Sequence, residues 1–237
     1  MTHERSQRIY ERAAEIPGRS LTRSKAPGRF FDTKSGPLYA KSGNGCMIVD
    51  VDGNKYIDML CALGAVSLGY GVGQWSDPSS CVRAIQDGWV LSLPHRIEVD
   101  AAEFVLELVA PWASHVRFLK TGSEATHAAY RIAKRATGRE WVAIGDWAYH
   151  GWHEWCSMRA AGVPEAFHTV LYQHGATLSE IFKHGVHPLN VDGRELAAVF
   201  IEPHRWEPVN VEWLQYVRDY CDRVGALLVF DEMIYGG

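Results

Sequence analysis

No two cysteines in this 237-residue sequence stand at C-x-x-C spacing; the five present, Cys46, Cys61, Cys81, Cys156 and Cys221, are scattered singly. An odd, dispersed set reads as reduced thiols, so a disulfide framework is not expected. Long apolar runs are missing too, and the start Met-Thr-His-Glu-Arg-Ser-Gln-Arg has none of the character of a signal peptide. Neither sign of charge dominates. A formal net charge of -4 gives no hint of a nucleic-acid groove or of binding to an anionic membrane. The expectation is a cytoplasmic protein with neither nucleic acid nor membrane as partner. Internal repeats and low-complexity segments are absent as well. What remains is ordinary globular composition, 47% hydrophobic and 22% charged, in a chain long enough to bury a sizeable core.

The periodicity divides the chain near residue 70. In residues 1–70, Ile9, Ala13 and Ile16 fall at helical spacing within Ser6–Ile16, which Pro17-Gly18 stops. Residues 20–45 are rich in glycine, proline, serine and basic side chains and read as irregular. Strand-like runs at 46–51 and 54–58 flank Asp52-Gly53, which predicts a two-residue type I′ hairpin with φ > 0 at both central positions. From residue 71 to 237 the pattern predicts helices over 78–93 and 98–110, a strand at 115–119 and a helix over 123–137 closed by Gly138. Further on it predicts a strand at 141–145, a strand at 167–172, a helix at 176–184 and a buried strand at 196–201. The last two elements are a helix over 211–224 with Gly225 behind it and a buried strand at 226–230. Continuous apolar strands alternating with amphipathic helices imply an α/β fold whose mostly parallel sheet is covered on both faces.

Ligands of such sheets bind just beyond the carboxyl ends of the strands, which selects residues 120–124, 146–151, 202–207 and 231–237. At the first, Thr121-Gly122-Ser123-Glu124 opens a long helix. Exposed N–H groups, a glycine that lets the backbone approach and two hydroxyls can form a phosphate cup, although Ser123 as a plain N-cap satisfies the same pattern. At the second, Trp147, Tyr149 and Trp152 surround His150-Gly151. An aromatic ring there can lie on a flat heteroaromatic ligand, or simply pack. At the last, Asp231 follows the apolar run Ala226–Phe230. A carboxylate leaving a buried strand needs a partner, and a protonated pyridine nitrogen or a following helix N-terminus are the alternatives.

In this order the residues resemble class III aminotransferases. Thr-Gly-Ser-Glu-Ala-Thr at 121–126 resembles their glycine turn, and Tyr149-His150-Gly151 their Tyr-His-Gly motif. Glu202-Pro203 and Phe230-Asp231-Glu232-Met233 resemble two of their strand ends. Upstream, Ser42-Gly43-x-Gly45 and Asp50-x-Asp52-Gly53-x-x-Tyr56-x-Asp58 resemble the N-terminal signature. The helix running into Pro17-Gly18 is similar to the start of glutamate-1-semialdehyde aminomutases. The resemblance implies the first part of a fold type I large domain binding pyridoxal 5'-phosphate (PLP), preceded by a small helix and hairpin segment. It implies that Thr121, Gly122 and Ser123 hold the phosphate, that Tyr149 covers one ring face with Met233 under the other, and that Asp231 pairs with the ring nitrogen. His150 and Glu202 support these groups, while Glu207 is given no settled role. The implied reaction transfers an amino group between a small-molecule donor and an aldehyde or keto acceptor, or shifts it within one molecule. The implied assembly is a homodimer.

The family's cofactor-linking lysine lies beyond the Asp-Glu-Val motif, and no lysine follows Lys183 here. The expectation is a fragment, or one part of a split enzyme that needs a complementary C-terminal polypeptide, with no transaminase activity as the 237-residue chain. The alternative is a non-catalytic binding or scaffolding protein that keeps the partial fold. Eleven histidines, including His150-x-x-His153 and His184-x-x-His187, raise a metal hydrolase as a third reading. No carboxylate pattern completes such a site, and no metal is expected. Arg29 and Arg205 are candidates to grip a substrate carboxylate.

Overall fold

A computed structural model describes residues 2–21, 23–29, 31–71, 78–88, 90–145, 148–157, 169–172, 193–203, 210–234 and 236. They form two compact units, Met1–Pro94 and His95–Gly237. Helix α2 (Pro78–Gln86), shorter than the predicted 78–93, belongs to the first of them, whereas a division at residue 70 groups it with the sheet.

In the first unit, helix α1 (Glu4–Arg12) gives way to a 3-10 turn at Ala13–Glu15. It starts earlier than the apolar spacing predicts because its cap is remote. The Asp52 carboxylate accepts the N–H groups of Arg5 (2.7 Å) and Ser6 (2.9 Å), placing negative charge at the helix N-terminus. Strands β1 (Ala40–Asn44), β2 (Met47–Asp50) and β3 (Lys55–Ile57) form an antiparallel sheet in that order. Strand β1 corrects the reading of residues 20–45 as irregular. Its sequence Ala-Lys-Ser-Gly-Asn lacks apolar alternation, and only pairing with β2 makes it a strand. An apolar cavity of about 210 Å³ in this unit is lined by Pro27, Phe31, Leu38, Ile48, Leu60 and Leu63, among others.

The β2–β3 connection is also corrected. Gly53 alone takes positive φ (+93°), and the loop is closed by Gly53 N–H on the Asp50 carbonyl (3.1 Å) and Asp50 N–H on that of Asn54 (3.0 Å). A type I′ turn loses because the Asp50 side chain offers more. Its carboxylate accepts the N–H groups of Asp52 and Asn54, the Asn54 amide and the Tyr56 hydroxyl, at 2.8–3.1 Å. Burial pushes the Asp50 carboxyl up, but these hydrogen bonds from Asn54, Tyr56 and Asp52 together hold it below the ordinary carboxylate range. Its stabilisation is therefore full above the unfolded-state value of about 4 and disappears as pH falls through the lower folded value. Acid titration read on the Asp52 and Asn54 amide resonances should show the loop opening only below pH ~4, and Asp50→Asn should remove that step. Superimposable titrations would show that the carboxylate does not hold the loop.

The second unit is built on a parallel sheet in the order β5-β4-β6-β7: β4 (Trp141–Gly145), β5 (Thr169–Tyr172), β6 (Leu196–Ile201) and β7 (Leu227–Phe230). Every residue of β6 is buried, and from Ala198 to Ile201 alternate side chains feed two apolar clusters. Val199 and Ile201 join Ala143, Val217 and Cys221 in one cluster. Ala198 and Phe200 join Val142, Ile144 and Ala133 in the other. Burying each large side chain contributes roughly 1.5–3 kcal/mol, so β6 anchors both layers. The helices supplying these layers are α4 (Gly122–Thr137) and, counting on from it, α5 (Val211–Val224). Thr121 and Asn210 cap their N-termini, and Gly138 (φ +68°) and Gly225 (φ +73°) end them in left-handed conformation. Arg139 Nη1 donates to the carbonyls of Leu196 and Val224, both at 2.9 Å, tying the start of β6 to the end of α5.

Two further expectations change in this unit. Helix α3 (Arg96–Phe104) begins two residues before the predicted start and continues as a π-helical turn at Val105–Val109. The His95 ring caps it by accepting the Ile97 N–H (3.0 Å) while Glu98 accepts the His95 N–H (3.1 Å), a capping box with an unusual first member. Residues 115–119 form no strand, because their backbone finds no ladder partner among the described residues. Apolar sequence alone cannot supply that partner. The helix predicted at 176–184 and residues 167–168 of the predicted strand lie outside the described residues. Among those described, no helix is long and apolar enough to cross a membrane.

Candidate functional site

Strands β4, β6 and β7 run in the same direction and in register, Ile144 beside Phe200 and Ile201 beside Phe230, so their exits are neighbours. Asp231 extends the ladder one residue past β7 through its N–H on the Ile201 carbonyl (2.8 Å). Its carboxylate is thereby aimed back at the loop after β4, where Oδ2 meets His150 Nδ1 at 2.9 Å. The His150 side chain is fully buried and that of Asp231 is 8% exposed. An ionised carboxylate only accepts, so Nδ1 carries the proton in this pair. Oδ1 accepts the Met233 N–H at 3.2 Å, which leaves lone pairs free in the acceptor count of the carboxylate.

The main chain of the β4 loop is gripped separately. The His150 carbonyl accepts from the Thr126 hydroxyl (2.6 Å) and the Cys156 thiol (3.3 Å). Burial pushes the Cys156 thiol up to about 12, which keeps it protonated and able to donate. Gly151, with φ +109°, lies so close to helix α4 that a Cβ would stand 2.6 Å from Ser123 Oγ and 2.9 Å from Ser123 Cα. A Cβ on Gly122 would stand 3.3 Å from the Met233 sulfur. The first turn of α4, the loop after β4 and the exit of β7 therefore meet at one place.

At that place α4 presents unsatisfied donors. Thr121 accepts the Glu124 N–H on its hydroxyl (3.1 Å) and the Ala125 N–H on its carbonyl (3.0 Å). The N–H groups of Gly122 and Ser123 remain without an acceptor among the described residues, at the positive end of a helix dipole. Two outward N–H groups can hold an anion such as phosphate, and a carboxylate with spare lone pairs can accept a hydrogen bond from a ring N–H. The donor and acceptor set fits a flat, phosphorylated, protonated heteroaromatic ring.

Of the residues singled out from sequence, Gly122, Ser123, His150, Asp231 and Met233 are thus brought together, with Thr121 capping the turn beneath them. Tyr149 and Glu202 are joined to each other by the Tyr149 N–H on Glu202 Oε2 (2.8 Å), and the Tyr149 side chain is exposed. Trp147, Arg205 and Glu207 lie outside the described residues, and Arg29 is exposed. His150 and His153 do not form a ligand pair: the first turns to Asp231, while the second is stacked between Trp152 (5.0 Å) and His127 (4.6 Å). His184 and His187 lie outside the described residues. Sequence reading gave no role to Thr126, although it closes the 121–126 run, nor to Cys156. Nothing in the sequence marked either one.

The comparison with known proteins decides the family. A family model described as aminotransferase class-III matches residues 30–237. The chain belongs to the class III aminotransferases. It is 33% identical to the glutamate-1-semialdehyde 2,1-aminomutase of Natronomonas pharaonis over 254 residues, covering 100% of this chain and 54% of that protein. It is 30% identical to the 3-aminobutyryl-CoA aminotransferase of Cloacimonas acidaminovorans, covering 98% of this chain and 56% of that one. Among solved structures, a transaminase with PLP bound superposes with a TM-score of 0.79 at 27% identity, over 98% of this chain and 56% of its own. This class III chain spans about half the length of the curated relatives it matches. The fold type I architecture that the resemblance implied holds, and the likeness to glutamate-1-semialdehyde aminomutases holds as one of sequence.

Proposed function

We propose that this chain supplies the cofactor cradle of a PLP-dependent aminotransferase or aminomutase acting on a small-molecule amino donor and a carbonyl acceptor. One observation carries the reading: the outward N–H groups of Gly122 and Ser123, the Asp231–His150 pair and Met233 converge at the carboxyl end of a parallel sheet. When bound, PLP supplies an electron sink that stabilises negative charge on the carbon next to the amino group. The residues of this chain bind and orient it. Gly122 and Ser123 hold the phosphate, the Asp231 carboxylate accepts the ring N–H and keeps the ring cationic, and His150 fixes the Asp231 side chain. Tyr149 covers a ring face, its backbone held by Glu202, and Met233 lies against the other face. None of these groups is a lysine, so by themselves they hold the ring without covalent attachment. An apolar stripe on α3 and beyond, with Ile97, Phe104, Leu108 and Trp112 exposed, supports pairing with a second copy or a complementary polypeptide.

Pyridoxamine 5'-phosphate tests the cradle, because it carries the ring and the phosphate and needs no lysine. Titrating it into the 237-residue chain should quench tryptophan fluorescence saturably, and pyridoxamine without phosphate should bind at least ~100-fold more weakly, as expected when an anion leaves a helix N-terminus and its N–H groups. Equal affinity for the two compounds, or no saturable binding, overturns the reading.

A further inference from the structure

We propose that Thr126 and His150 form a buried relay that holds the ring-nitrogen carboxylate, Asp231, in fixed register with the phosphate turn of α4; both are positioning residues. The inference rests on the cofactor reading above and adds how the two ends of the cradle are coupled. Thr126 sits on the first turns of α4 with its hydroxyl 3.1 Å from the carbonyls of both Gly122 and Ser123, and 2.6 Å from that of His150. A hydroxyl has one proton, and the shortest contact claims it, so the bond goes to the β4 loop rather than back into the helix. His150 then reaches from that clamped carbonyl, through its own ring, to Asp231 Oδ2. One side chain and one residue therefore span from the phosphate end to the ring-nitrogen end.

Packing alone does not explain His150. Its ring is buried against Phe200 at 5.8 Å between centroids, yet Nε2 is buried with no hydrogen-bond partner among the described residues. Burying a polar nitrogen in that state is unfavourable, and an apolar side chain of similar volume would fill the place with less penalty. What an apolar side chain cannot do is donate to Asp231. The same holds for Thr126, where valine has the same shape and lacks only the proton given to the His150 carbonyl.

The readout that separates positioning from mere stability is the protonation of the bound ring. A carboxylate that accepts fewer hydrogen bonds draws a shared proton towards itself. With pyridoxamine 5'-phosphate labelled with 15N in the ring, the unaltered chain should show a protonated ring nitrogen at a pH where the free compound is deprotonated. His150→Ala should move that signal towards the deprotonated position and weaken binding about tenfold or more, the size of a lost hydrogen bond to a charged group. His150→Asn, whose amide donates from the place of Nδ1, should restore most of both. Thr126→Val should weaken binding about threefold to tenfold while its ring signal stays protonated. An identical 15N signal in the unaltered chain and His150→Ala overturns the relay. Failure of the unaltered chain to bind overturns the cofactor reading instead, a different result. Should His150→Ala not fold, the ligand-free unaltered chain decides: a slowly exchanging His150 Nδ1 proton is expected, and a rapidly exchanging one refutes the relay.

Discussion

Gly151→Ala is expected to lose pyridoxamine 5'-phosphate binding by about a hundredfold or more and to destabilise the second unit by roughly 2–5 kcal/mol. Two separate penalties add here. The backbone at φ +109° is a conformation that a side chain strains. The new Cβ would also meet Ser123, and although Oγ at 2.6 Å can rotate away, Cα at 2.9 Å cannot. Relief has to come from moving the first turn of α4 or the β4 loop, which separates the phosphate donors from His150 and Asp231. Gly138→Ala provides the comparison. That residue is also left-handed (φ +68°), but nothing lies within 4 Å of its Cβ position. It should lose only about 1 kcal/mol and bind normally. Urea unfolding and fluorescence titration of both variants measure the difference; equal behaviour would mean that the close approach at Gly151 plays no part in the cradle.

The parts of this unit legible in sequence are those where one local signal decides. Strand β6 is a six-residue apolar run without competing periodicity, and α5 is bracketed by Asn210 and Gly225, so both appear where they were expected. Strand β1 and residues 115–119 fail in opposite directions for the same reason. Ala-Lys-Ser-Gly-Asn becomes a strand because β2 lies beside it, and His-Val-Arg-Phe-Leu does not because no described neighbour pairs with it. The Asp52-Gly53 turn was misread because the rule for two-residue hairpins takes no account of a carboxylate at Asp50 that collects four hydrogen bonds. In the site, Asp231 and the glycine turn were visible as polar and small residues at strand exits. Thr126 and Cys156 were not, because their contribution is a hydrogen bond to the main-chain carbonyl of His150, and a carbonyl has no sequence signature.

Asp231→Asn separates the two roles open to that carboxylate when only the sequence is considered. As a cap for the chain that follows it, Asp231 works through Oδ1 on the Met233 N–H (3.2 Å), and an asparagine carbonyl accepts the same bond. As the partner of a ring nitrogen it works through charge, which asparagine lacks. With its one carbonyl kept on the Met233 N–H, the variant amide donates to His150 Nδ1, whose proton moves to Nε2, and no negative charge is left to meet the ring N–H. The expected result is a nearly unchanged melting temperature with binding of pyridoxamine 5'-phosphate weakened about a hundredfold or more, in line with the roughly 3–5 kcal/mol lost when one member of a buried charged pair is removed. Asp231→Ala should weaken binding similarly and also destabilise the unit by about 1–3 kcal/mol, because His150, already without a partner on Nε2 among the described residues, loses its partner on Nδ1 as well. Wild-type affinity in Asp231→Asn would leave the carboxylate as a turn residue, and the cradle would then have no group to keep its ring charged.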